Sequence, residues 1–294
     1  VSSPLSPFLL VVRADGGDRG NYNSIRDNRS HKKMIKGHGF IAPKDNPKDF
    51  VFGSQELGFK FPYEVLQEDG NWSSYLPKFE HQARQNFETY NCTAYGSLSI
   101  TETILRRKFN IIEDYSERFI GVMAGTEPPG NDPITVAETI RKQGSILEED
   151  LPFDSSVISV SKYYSPKPME GSLNARGLNW LERFTLNYEL VWKGKPRNKP
   201  ELLKAALKQS PIGISVAAWS LDDSDGLYFK NGPDNHWCML ENYEDGKWWE
   251  ILDSYDSAKK RLKWDTDFEV AVKYYIAKKE PKKYNWFVDL FRRF

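Results

Sequence analysis

Apolar and polar positions change their rhythm once along this chain, near Pro211. Before that point the repeats are mostly helical. After Cys92 the apolar residues Leu98, Ile100, Ile104 and Leu105 recur with mixed helical spacing and close on Arg106-Arg107-Lys108, which predicts a helix starting at Cys92. Thr135–Gln143 before Gly144 predicts a second helix with a glycine stop, and a third is expected within Leu173–Val191. Pro200–Lys208 reads as a short amphipathic helix with proline at its start. From Pro211 onward the runs are strand-like. Asn235–Leu240 and Lys247–Tyr255 flank the turn signal Glu244-Asp245-Gly246 and predict a hairpin. A helical half followed by a β half defines an α+β chain with a cleft between the halves.

The flanks carry less pattern. Residues 1–70 lack sustained periodicity; Asp15–Asn23 reads as a loop and Arg29–Lys36 as a solvated basic stretch. At the other end, Trp286, Phe287, Leu290, Phe291 and Phe294 fall roughly on one helical face beyond the linker-like segment 278–283. That tail, 284–294, fits packing on its own domain, docking to a protein partner, or lying on a membrane surface, in that order.

Candidate chemistry starts at Cys92. A thiol at a helix N-terminus sits where the helix dipole and unpaired N–H groups stabilise a thiolate. A buried structural cysteine would fit the local sequence equally well. Distant residues favour the nucleophile. Of the four histidines, His31 and His38 lie in polar surroundings and His81 precedes the cysteine. Only His236 sits in a strand-like run, 144 residues beyond Cys92 and 17 before Asp253. The first gap matches the roughly 130–150 residues of one thiol-protease arrangement. A hairpin can set His236 beside Asp253. The three would act as nucleophile, base and orienting group.

The segments around these residues resemble the papain family of cysteine peptidases, from about Asn71 to Ile276. Asn71-Trp72 and Leu76–Gln82 resemble the mature family N-terminus. Cys92-Thr93-Ala94-Tyr95-Gly96 resembles its nucleophile segment, and Tyr115–Phe119 a Leu-Ser-Glu-Gln stretch. Gly144–Phe153, Pro211–Val216, Asn235-His236 and Asp253-Ser254-Tyr255 follow in the family's order. The resemblance implies a two-lobed papain-like domain over 71–283, with a helical lobe at about 85–200 and an antiparallel β lobe at about 205–280. Residues 1–70 form an extension that either blocks the cleft or decorates the fold. It also implies an oxyanion-hole glutamine, for which Gln82 and Gln85 are both candidates. Two departures stand out. Asp253 replaces the family's asparagine, and Pro129-Gly130-Asn131-Asp132-Pro133 replaces its glycine-rich substrate loop. These features also resemble papain-like proteins of phages and environmental bacteria.

Composition narrows the reading. Lys+Arg and Asp+Glu are both 41, so charge gives no case for nucleic acid as a partner. No apolar run reaches the roughly 20 residues of a membrane span; Phe8–Val12 is too short, and no basic segment precedes it. With only two cysteines, a disulfide-free fold from a reducing compartment such as the bacterial cytoplasm is expected, with a phage virion as a further location. Cys238 would share a strand face with His236. A metal site of His236, Cys238 and Asp253 has too few ligands to be expected, and no cofactor is implied. The functional expectation is hydrolysis of a polypeptide substrate. The alternatives are a structural or assembly protein that kept the fold, and a peptidoglycan-cleaving cysteine amidase, ranked lower because its cysteine and histidine usually lie closer in sequence.

Overall fold

The computed structural model describes residues 39–46, 51–52, 64–84, 86–167, 169–255 and 259–280. The readings of Phe8–Val12, Asp15–Asn23, Arg29–Lys36, His31, His38, Gln85 and the 284–294 tail lie outside the described residues. Six α-helices are described: α1 Cys92–Phe109, α2 Glu117–Met123, α3 Pro133–Gln143, α4 Val160–Tyr163, α5 Gly171–Arg183 and α6 Pro200–Leu207. The predicted start and end of α1 coincide with the observed ones. Asn110 closes it in the left-handed conformation (φ 54°), and Arg106, Arg107 and Lys108 occupy its last turn, where cations meet the negative dipole end. α2 is capped by Ser116, whose Oγ accepts the Phe119 N–H; α3 is capped by Asp132, which accepts the N–H groups of Ile134 and Thr135.

The strands are β1 Phe184–Trp192, β2 Ile212–Val216, β3 Ser220–Asp222, β4 Leu227–Phe229, β5 His236–Glu244, β6 Trp248–Leu252, β7 Lys259–Lys263 and β8 Ala271–Lys278. They form one sheet in the order β1-β8-β2-β5-β6-β7-β4-β3. Its pairings are antiparallel except β4 with β7, which is parallel. No described helix is long and apolar enough to cross a membrane.

The helix expected within Leu173–Val191 is α5, and the rest of that stretch is β1. α5 stops at Arg183, and Phe184, Leu186, Tyr188 and Leu190 then alternate as the inward face of β1. That period of two, paired with β8 up to a register shift between Leu190 and Trp192, sets the strand apart from the helix before it.

Alternation sorts the sheet's side chains between two cores. Trp237 and Met239 of β5 face the core under α1, α2 and α3. Cys238 and Leu240 face a second core with Trp72 and the α6 residues Leu203, Ala206 and Leu207. Trp237 fixes the spacing between α1 and β5. A Cβ added to Gly96 would lie 2.7 Å from the Trp237 ring, and one added to Gly213 only 2.3 Å from it. The indole thus fits against two residues without side chains. Gly96 is one helical turn from Cys92 and Trp237 is next to His236, so this contact sets how the start of α1 lies against the start of β5.

Buried acids run through the helical half. Burial pushes Glu80, Glu102 and Glu117 above the ordinary carboxylate range, and neighbouring carboxylates add to the rise. Glu148 is raised to about 7, chiefly by burial. The folded protein binds these protons more tightly than the unfolded chain. The Glu148 contribution is whole below the ordinary value of 4.5 and is lost as pH climbs through about 7. In the other direction, Glu138 is lowered to about 2, chiefly by its hydrogen bond from Arg141. Its contribution is present above 4.5 and fades toward pH 2. The thermal midpoint is therefore expected to be higher at pH 5 than at pH 8. Glu148→Gln, neutral throughout, should flatten that slope; scanning calorimetry across this range is the check.

Candidate active site

Cys92 is the first residue of α1 and is fully buried. Burial pushes its thiol upward. The backbone N–H groups of Trp237 and Thr93, which hydrogen-bond the sulfur, pull the other way, while the Glu88 and Asp253 carboxylates add to the rise. In this covered state the sulfur is a neutral thiol. The Trp237 contact places it against the start of β5.

His236 opens β5, and Asp253 directly follows β6; the predicted hairpin pairs the two strands. His236 Nε2 lies 2.7 Å from Asp253 Oδ1. Nδ1 is buried and has no hydrogen-bond partner among the described residues. Tyr255 packs on the ring at 4.7 Å between centroids and Trp219 meets it edge-on at 5.6 Å. The Asp253 carboxylate also takes the Cys238 thiol on Oδ1, at 3.8 Å, and the Lys260 ammonium on Oδ2. Burial works to raise the Asp253 carboxyl, but the charge and hydrogen bond of His236, then those of Lys260, hold it below the ordinary range. His236, Cys238 and Asp253 bring three donor atoms within 4.8 Å of one another, yet both Asp253 oxygens are already engaged by these hydrogen bonds.

Gln82 is fully buried beside Asp253. Its N–H donates to Ser254 O at 3.0 Å, and its Oε1 accepts Ser254 Oγ at 2.6 Å. Nε2 donates to Glu88 Oε1 at 2.8 Å and to the Tyr255 hydroxyl at 3.0 Å. Glu88 Oε1 also accepts the Tyr90 N–H at 3.1 Å. The side-chain amide is held at the site, with Glu88 and Tyr255 as its acceptors. Gln85, the other candidate, lies outside the described residues. His81 is exposed and packs edge-on against Phe79.

A backbone strap explains the burial. Gly39 O accepts the Asn131 N–H at 2.9 Å, and Ile41 N–H donates to Asn131 O at 3.0 Å. Phe40 N–H donates to Asn235 O at 3.4 Å, and the Phe40 ring stacks parallel to Trp237 at 6.1 Å. The strap thus joins the 129–133 loop on the helical side to the residue preceding His236 on the sheet side. Gly39 lies over Cys92. A Cβ there would stand 2.5 Å from Tyr90 O and 2.9 Å from Cys92 Sγ, so only glycine fits without displacement.

Three neighbours of the site were not singled out by sequence reasoning. Lys260 was readable as buried, because Lys260 and Leu262 alternate inward in β7 while Lys259 and Arg261 point out; its partner was not. Glu88 gave no signal because nothing in its local pattern marks its carboxylate as the acceptor for Gln82, and Gly39 gave none because its place comes from main-chain contacts with distant residues.

No sequence-family profile matches this chain, and no curated protein sequence is similar to it. Solved structures do match, and the fold they define is that of papain-like cysteine proteases. Xylellain, a cysteine protease from Xylella fastidiosa, aligns at TM-score 0.54 and 16% identity, over 83% of this chain and 96% of that one. Digestive procathepsin L 3 of Tenebrio molitor larval midgut aligns at TM-score 0.52 and 13% identity, over 81% of this chain and 75% of that one. A recombinant stem bromelain precursor aligns at TM-score 0.51 and 16% identity, over 84% and 79%.

Proposed function

We propose that this chain is a latent thiol peptidase acting on polypeptides. The observation that carries this reading is the His236 ring. Its Nε2 is committed to Asp253, and its Nδ1, without a hydrogen-bond partner among the described residues, is left to exchange a proton with Cys92. In the reaction, Nδ1 takes the thiol proton and the thiolate attacks the scissile carbonyl carbon. The carbonyl oxygen becomes an oxyanion at the α1 N-terminus, within the field of the helix dipole. The Gln82 amide serves there once Glu88 releases it. Collapse of the tetrahedral adduct breaks the C–N bond, and the imidazolium returns its proton to the leaving amine. A thioester remains on Cys92. Water, deprotonated by the same nitrogen, hydrolyses it and frees the acid and the thiol. Asp253 keeps the ring in the tautomer and orientation that both half-reactions need.

Latency rests on Gly39–Ile41, which fills the groove a peptide would use and leaves Cys92 without exposure. Two of the similar structures are themselves described as a pro form and a precursor, which fits an N-terminal segment that must leave first. The test is a peptidyl epoxide, applied to the parent chain and to Gly39→Val, with the adduct mapped by mass spectrometry. The expected adduct is on Cys92, stronger in Gly39→Val and absent when His236→Ala is added. No adduct on Cys92 in either protein would favour a structural role instead.

A further inference from the structure

We propose that Lys260 is a positioning residue whose ammonium cancels the charge of Asp253, so that His236 meets a hydrogen-bond acceptor carrying no net charge. The inference rests on the peptidase reading for its consequence in catalysis, but its electrostatic content stands apart from it.

The geometry is specific. Asp253 offers one oxygen to each neighbour: Oδ1 lies 2.7 Å from His236 Nε2, and Oδ2 takes Lys260 Nζ. The three side chains are almost wholly buried, with Lys260 only 3% exposed. Lys260 stands opposite Ile251 in the β6–β7 ladder, so the strand itself aims its side chain inward. Its ammonium lies 5.1 Å from the Trp219 ring and 5.8 Å from that of Tyr228. Trp219 also meets the His236 ring edge-on. One indole thus contacts both cations that Asp253 can hold, and the Lys260 head group is fixed by aromatic faces as well as by charge.

A lysine on the inner face of a sheet is costly unless paired. Its placement at the carboxylate behind the base has a chemical consequence. A lone aspartate in a low-dielectric site would bias the ring strongly toward imidazolium. A base held in that form neither accepts the thiol proton nor returns one readily to the leaving amine. With Lys260 in place, the pair behaves electrically as a neutral amide would. This accounts for an aspartate standing where the resembling family carries asparagine. The other ionisable groups around the pair are the Cys238 thiol on Oδ1, the Cys92 thiol, the Tyr255 hydroxyl, and Glu88 beyond it.

The test uses the full chain with Cys92→Ser, which removes self-cleavage, and follows the His236 ring by nitrogen-15 NMR titration. Lys260→Met should move its titration midpoint up by about one pH unit or more. Asp253→Asn alone, which leaves the ammonium uncancelled, should move it down. The double variant should return it close to the parent position. Lys260→Arg, which keeps the charge, should leave it in place. A midpoint unmoved by Lys260→Met, or a double variant that fails to return, overturns the proposal. If Lys260→Met does not fold, Asp253→Asn decides alone: an unchanged midpoint there overturns it. With Cys92 restored and Gly39→Val added, the basic limb of the kcat/KM profile should follow the same order. If every protein is inert but the NMR midpoints move as stated, the charge cancellation stands and the peptidase reading falls.

Discussion

Replacing Cys92 by alanine should lower hydrolysis by about 10^4-fold or more, since the proposed acyl intermediate forms on its sulfur. The comparison is best made in the Gly39→Val background with a fluorogenic peptide, so that the strap does not mask the parent rate. Alanine is the best helix former, and the position is the first residue of α1, so the fold should survive and circular dichroism should be unchanged. Retention of more than about one hundredth of the parent rate would mean that a different nucleophile operates.

Gly39→Val should expose that thiol. A valine Cβ would overlap Tyr90 O and crowd Cys92 Sγ, at 2.5 and 2.9 Å. The strap can avoid this only by giving up its hydrogen bonds to Asn131 and Asn235. Those three bonds are each worth about 1 kcal/mol net, or about 3 kcal/mol together, so the open form should rise about 100-fold in population. Alkylation of Cys92 by iodoacetamide, followed by mass spectrometry, should accelerate by a similar factor. An unchanged rate would mean that Gly39–Ile41 does not control access.

How far the sequence disclosed this arrangement depends on where each contact is encoded. The start and end of α1 were legible because the apolar spacing and the basic last turn agree. So was the hairpin, whose turn glycine, Gly246, adopts φ 73°. Together these place His236 beside Asp253. Within Leu173–Val191 the helix was legible but its end was not, because the apolar residues satisfy both periods; the change of rhythm falls between Arg183 and Phe184, where no proline or glycine marks it. Gln82 was legible as a candidate but not its partners, since Glu88 and Tyr255 reach it from separate loops. The strap was not legible at all. Its grip is through backbone atoms, and those carry no side-chain code.

The crossing at Gly39–Ile41 ties the residue before His236 to the loop that leads into α3. On the peptidase reading proposed above, storage and work are different mechanical states of one chain. Idle copies, stitched across the cleft, should outlast heat and proteolytic attack, whereas each released copy begins a shorter working life.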